Sequence, residues 1–78
     1  MGEKMENLIE LLNDIVLHPA HVRSVGPVMD EFLRSQKTWC YHVAVDGQDK
    51  SIKVSGPDQA VVEENRKHVL ARWNAWQR

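Results

Sequence analysis

Residues 39–54 read Trp-Cys-Tyr-His-Val-Ala-Val-Asp-Gly-Gln-Asp-Lys-Ser-Ile-Lys-Val, which is two alternating runs joined by a segment that begins with Asp-Gly. Alternation with a period of two around Asp-Gly is typical of a β-hairpin. Residues that oppose each other in a hairpin point to the same face, so odd-numbered apolar residues must pair with even-numbered ones. The loop therefore has an even length, either 46–47 or 46–49. The predicted strands, about 39–45 and 50–55, share one apolar face: Trp39, Tyr41, Val43, Val45, Ile52 and Val54.

The segments on either side of the hairpin carry helical spacing. An amphipathic helix is predicted at about 3–17, where apolar residues recur at helical intervals until Pro19 stops it. A short helical turn at about 20–25 and a fresh helix from Pro27 to about Ser35 are expected next. One helix kinked at Pro27 is the alternative. The Ser-Gly-Pro-Asp-Gln sequence at 55–59 predicts the start of a long last helix, about 57–76.

These elements define the expected fold class, a small single α+β domain spanning 1–78. The expected order is helix, short helix, helix, strand, strand, helix. A two-stranded ribbon is not stable alone in water, so the N-terminal and C-terminal helices should cover its apolar face. Both ribbon edges then remain unpaired, and such edges readily recruit another strand.

The composition limits the classes of function. A chain of 78 residues buries only about 60% of the surface that its unfolded form exposes. Self-association would relieve this marginal stability, which favours a homodimer. The formal net charge is −1, whereas a domain that mainly clamps phosphates usually shows a basic excess.

The compartment is predicted from what the sequence contains. A single cysteine cannot form an internal disulfide and suits a reducing compartment. No apolar run approaches the roughly 20 residues that span a bilayer, and acidic residues interrupt the N-terminus where a signal peptide would be apolar. The acidic polar face of the first predicted helix also argues against a membrane surface. A cytoplasmic protein is therefore expected.

Four residues suggest a metal site as an alternative function: His18, His21, Cys40 and His42. Zinc accepts nitrogen and thiolate ligands in a tetrahedral set, but these spacings depart from the usual structural patterns. The prediction is therefore that no metal or other cofactor is bound, and that these are ordinary polar residues.

An enzyme is not expected. Cys40 and His42 lie on the same strand face, about 6.5–7 Å apart by the strand rise, which is too far for direct proton transfer. The sequence has no glycine-rich phosphate loop and no recognisable catalytic signature.

Nucleic-acid binding is the first alternative function, because the last predicted helix interleaves basic and aromatic residues. Such a surface can contact a phosphate backbone and stack bases. The spacing of Trp73 continues the apolar stripe of that helix, and neighbouring acids weaken any positive field. The candidate residues are Arg66, Lys67, Arg72 and Arg78.

The favoured hypothesis is a non-enzymatic protein-interaction module, an adaptor or inhibitor of the size found in compact accessory or phage genomes. It would act through the hairpin edge and the surface of the last helix. Tryptophan and tyrosine are enriched among residues that anchor interfaces. The candidate contact residues are Trp39, Tyr41, Trp73 and Trp76.

Overall fold

A computed structural model describes residues 8–77 of the chain. Within this range the protein is a mixed α+β domain with two sheets and one α-helix. The elements in chain order are β1 (Ile9–Glu10), β2 (Val16–Leu17), a 3₁₀ turn (Pro19–His21), β3 (Val22–Val25), β4 (Met29–Leu33), β5 (Gln36–Val45), β6 (Ile52–Gly56) and α1 (Gln59–Trp76).

The larger sheet is built around the ten-residue strand β5. One edge of β5 pairs with β6, and the other edge pairs first with β4 and then with β3. All three neighbours are antiparallel to β5. β3 and β4 thus form one long strand interrupted at Gly26–Val28, where the Gly26 amide still donates to the His42 carbonyl at 2.8 Å. The outer edge of β4 has no strand beside it among residues 8–77.

The predicted hairpin and its register are confirmed. Tyr41 pairs with Val54 and Val43 pairs with Ile52, so odd-numbered residues oppose even-numbered ones. Extended to the turn, this register leaves the four-residue loop 46–49. β5 begins three residues earlier than predicted, because 36–38 pair with β4.

The core lies between this apolar face and the C-terminal helix. Tyr41, Val43 and Val54 are fully buried, and Val62 and Val69 of α1 pack against them. The helix begins at Gln59 rather than Pro57, because the Asp58 carboxylate caps it by accepting from the Ala60 amide at 2.9 Å. The predicted C-terminal helix is therefore confirmed with a start two residues later.

The predicted N-terminal helix at 3–17 is wrong where the structure describes it; residues 3–7 lie outside the described range. Residues 9–17 instead form the β1–β2 hairpin, in which Ile9 pairs with Leu17. Its turn contains Asn13 and Asp14, which are turn-forming residues, and Asp14 has a left-handed φ of 66°. The apolar spacing of this segment suits a small hairpin as well as a helix, and its packing against α1 favours the hairpin.

The predicted helices at 20–25 and 27–35 are also wrong, as is a single kinked helix. The 3₁₀ turn ends at His21, and both segments then extend as strands along β5. One edge of the hairpin that was expected to be free is therefore filled. Pairing with a ten-residue strand outweighs the weak helical preference of these short segments, since propensity is readily overridden by tertiary context.

The turn between β4 and β5 carries local strain. Leu33 pairs with Gln36, and the two residues between them have φ angles of 53° (Arg34) and 69° (Ser35). Such two-residue hairpin turns favour Asn-Gly, because a left-handed conformation is unfavourable for residues with a Cβ.

We expect Ser35→Gly to stabilise the protein by about 1 kcal/mol, which would raise Tm by roughly 4–8 °C in a domain of this size. Thermal unfolding followed by circular dichroism measures the change. Ser55→Gly in β6 is the matched control, and there the same substitution should destabilise by about 0.5–1 kcal/mol. Equal effects at the two positions would contradict the strain at Ser35.

Candidate interaction surfaces

A groove of about 660 Å³ runs between α1 and the β1–β2 hairpin. Its apolar wall comprises Leu11, Leu12, Ala60 and Val61, of which Leu12 is 39% exposed and Val61 is 48% exposed. Glu10 and Glu64 add two carboxylates. The groove therefore combines exposed apolar surface with negative charge.

A hydrogen-bond network joins the two walls of the groove. The Asn65 side chain donates to the Glu10 carbonyl at 2.9 Å and accepts from the Tyr41 hydroxyl at 2.5 Å. The Glu10 amide donates to His68 Nε2 at 3.5 Å. Side chains of α1 thus satisfy both backbone groups of Glu10, which holds the small hairpin against the helix.

Three further exposed apolar residues lie on β4, away from the groove. Phe32 is 72% exposed, and Met29 and Leu33 are also exposed. The chief packing partners of α1 are β1, β3, β5, β6 and the 3₁₀ turn, so the helix leaves β4 largely uncovered. The protein therefore presents an open strand edge with a solvent-exposed phenylalanine.

The aromatic residues that the sequence suggested as contact residues have different environments. Tyr41 is fully buried in the core and does not reach the surface. Trp39 and Trp73 are half-buried and pack against the core, and Lys37 Nζ lies 5.6 Å from the centre of the Trp39 ring. Trp76 is 47% exposed and lies edge-on to His18, with the ring centres 4.7 Å apart. Of these four predicted contact residues, only Trp76 is therefore largely exposed.

The four possible metal ligands do not form a cluster. No group of three or more metal-binding side chains is found among residues 8–77. The His18 and His21 rings are 6.0 Å apart, and His18 Nδ1 accepts from the Ala20 amide. Cys40 and His42 lie on the sheet face opposite α1. The structure therefore gives no support to the metal alternative.

Cys40 is covered by an ion pair. Glu31 on β4 and Lys53 on β6 flank β5 on the same face, and their charged groups approach to 2.8 Å. Cys40 lies between them and is buried. Burial raises the pKa of the thiol, and the nearby Glu31 carboxylate raises it further. Such a thiol is a weak nucleophile at neutral pH, which suits a packing role.

The basic residues of α1 do not form a continuous positive surface. Arg66 Nε donates to the Gly26 carbonyl at 2.6 Å, at the break between β3 and β4. Arg72 is half-buried, and Lys67 is exposed beside the acidic Glu63 and Glu64. Arg78 lies outside the described residues. Arg66 thus has a structural role, and the nucleic-acid alternative gains no support from this geometry.

Comparison with protein-family models, curated proteins and solved structures gave no match to this chain. No helix within 8–77 is long and apolar enough to cross a membrane.

Three residues of the surfaces and the hydrogen-bond network were not predicted from the sequence. Phe32 falls within the helix predicted at 27–35, and no local pattern indicated that it would lie on a strand edge. Val61 falls within the last predicted helix, where no functional role was predicted for it. Asn65 carried a usable signal, because it falls at helical spacing between Val62 and Val69 on the buried face. A polar residue at such a position indicates a buried hydrogen bond.

Proposed function

We propose that the protein is a small, non-enzymatic protein-binding module, an adaptor or inhibitor that acts in the cytoplasm. It binds its partner through the groove beside α1 and uses the open edge of β4 as a second contact surface. The observation that carries the proposal is the groove itself, where exposed Leu12 and Val61 adjoin the carboxylates of Glu10 and Glu64. Exposed apolar surface of this kind, bordered by polar residues, is typical of interaction sites.

The chemistry of the groove defines its partner. Its apolar wall suits aliphatic or aromatic side chains, and its two carboxylates suit lysine or arginine. The occupant is therefore an apolar segment of another protein that carries basic residues. The Tyr41–Asn65–Glu10 network supports this proposal, because it holds the groove walls in place before the partner binds. Such preorganisation lowers the entropy that is lost on binding.

The proposal is tested by site-specific photo-crosslinking in the source cell. A photoreactive amino acid at position 61 should capture one defined protein, whereas the same amino acid at exposed position 48 should not. The captured protein is then purified, and its affinity is measured by calorimetry. A cross-link that stays within the chain would show that the protein covers its own groove and would overturn the proposal.

A matched pair of helix variants tests the charge of the partner. Glu64 lines the groove, whereas the neighbouring Glu63 does not. We expect Glu64→Lys to weaken binding of the purified partner by about tenfold or more, and Glu63→Lys to change it little. Equal effects of the two variants would contradict the groove as the binding site.

A further inference from the structure

The strand edge of β4 has a charge pattern that complements itself. Residues 30–34 read Asp-Glu-Phe-Leu-Arg, so opposite charges lie two positions to either side of Phe32. Phe32 is the most exposed of the large apolar residues in the described part of the chain. Asp30 and Arg34 are also exposed, and Arg34 makes no ion pair among residues 8–77.

We propose that the outer edge of β4 pairs antiparallel with β4 of a second copy of this chain, centred on Phe32. In that register the two phenylalanines oppose each other, and each Asp30 opposes Arg34 of the other copy. Asp30 and Phe32 lie on one face of β4, and Arg34 is the first residue of the turn that follows it, so the Asp30–Arg34 contacts flank the paired segment at both ends of a sheet that continues across the dimer. A twofold interface of this kind requires each residue pair to occur twice, and the Asp30–Arg34 pair does so.

The surroundings of β4 favour this register. Centring the pair on Glu31 would oppose the two Glu31 residues and place Asp30 against Phe32, which loses the charge match. In the proposed register Glu31 opposes Leu33, and its charge stays neutralised by Lys53 at 2.8 Å. Asp30 lies 3.4 Å from Lys37, so the incoming arginine adds a second cation beside it. β4 is not among the elements against which α1 mainly packs, so the helix leaves the outer edge of β4 accessible.

This inference rests on the proposed function, in which the β4 edge is a contact surface, and it identifies a second copy of the chain as the molecule bound there. Dimerisation at the β4 edge and partner binding in the groove are measured separately, so either can fail without the other. Size-exclusion chromatography with light scattering should give twice the 9.0 kDa chain mass for the purified protein. In the Asp30→Arg dimer, the new arginine of each copy would face Arg34 of the other, which gives two repulsive contacts between positive charges. In the Arg34→Asp dimer, Asp30 of each copy would face the new aspartate of the other, which gives two repulsive contacts between negative charges. We expect each variant to weaken dimerisation by more than about tenfold.

Mixing the two single variants is the decisive experiment. One chain then carries two cations and the other two anions, so both charge pairs are restored and a heterodimer should form. The double variant Asp30→Arg/Arg34→Asp should also dimerise. Asp49→Arg and Lys50→Asp, at exposed positions between β5 and β6, are the charge-matched controls, and they should dimerise like the wild type.

Three results would overturn the proposal: a 9.0 kDa wild-type monomer at high concentration, single variants that dimerise normally, or a mixture that stays monomeric. Circular dichroism checks that each variant is folded. If a charge variant does not fold, Phe32→Ser supplies an independent test, because Phe32 contributes little to the core. Loss of the dimer in a folded Phe32→Ser protein supports the proposal, and an intact dimer contradicts it.

Discussion

Val43→Asp is expected to unfold the protein, whereas His42→Asp on the same strand should leave it folded. Val43 is fully buried in the core beside Tyr41 and Val54. A carboxylate at that position has no partner, and burying it unpaired destabilises by more than about 4 kcal/mol. The total stability of a 78-residue domain is about 4–12 kcal/mol, so this one change is enough to unfold a marginal protein.

The control places the same charge one residue away. His42 lies on the opposite sheet face and pairs with Lys53, so an aspartate there would face a lysine across the strands. Opposite-charge pairs of this kind contribute about 0.2–1 kcal/mol. Urea unfolding of both variants at pH 7 checks the expectation. A folded Val43→Asp protein together with an unfolded His42→Asp protein would show that β5 buries the opposite face, with His42 in the core and Val43 in the solvent.

Alkaline pH is expected to destabilise the protein through Tyr41. Burial raises the pKa of the Tyr41 phenol to about 12, despite the opposing effect of Arg66. The unfolded phenol titrates near 10, so the unfolded chain ionises first as the pH rises. The contribution of Tyr41 is therefore fully present below about pH 10. It falls as the pH rises from about 10 to about 12, by roughly 2–3 kcal/mol in total.

Tyr41→Phe separates this effect from other titrations. At pH 7 the variant should be less stable by about 1–2 kcal/mol, because Asn65 loses the hydroxyl that donates to it. Above pH 10 its stability should fall less steeply than that of the wild type, and the two curves should cross. Urea unfolding at a series of pH values measures both curves, and the lysines titrate in both proteins. Parallel curves would contradict the raised pKa.

The ionisation of Tyr41 can also be measured directly. Tyr41 is the only tyrosine in the chain, so near-ultraviolet absorbance of tyrosinate follows its ionisation. The folded protein should titrate well above the ordinary pKa of the phenol, and the denatured protein near it. Titration at the ordinary value in the folded state would place Tyr41 outside the core.

Residues 39–54 determined the central hairpin by themselves. Their alternation and the parity of the loop specified which residues oppose each other, and a one-residue shift would have turned Ile52 and Val54 to the solvent. The position of the last helix was also determined by local sequence, since its apolar stripe and the Pro-Asp start at 57–58 suffice to predict it. The buried role of Tyr41 follows from its position in the alternation.

The tertiary structure alone decided the state of the first half of the chain. Residues 9–33 have apolar spacings that fit a helix or a short strand, and each segment is too short for propensity to decide. The long strand β5 offered a free edge of hydrogen-bonding groups, and β3 and β4 satisfied it. The strained turn at Arg34–Ser35 shows that this pairing outweighs local preference.

The candidate interaction surfaces exist because residues 9–33 form strands and not helices. Phe32 would face a core on a helix, but on β4 it lies in the solvent beside an open edge. The groove exists because β1 and β2 form a hairpin against α1, and no spacing in the sequence placed Glu10 beside Asn65. Short-range pattern determined the hairpin and the helix. Strand pairing and helix packing determined the surfaces, because the backbone groups of a strand are satisfied only by a neighbouring strand and not within the segment itself.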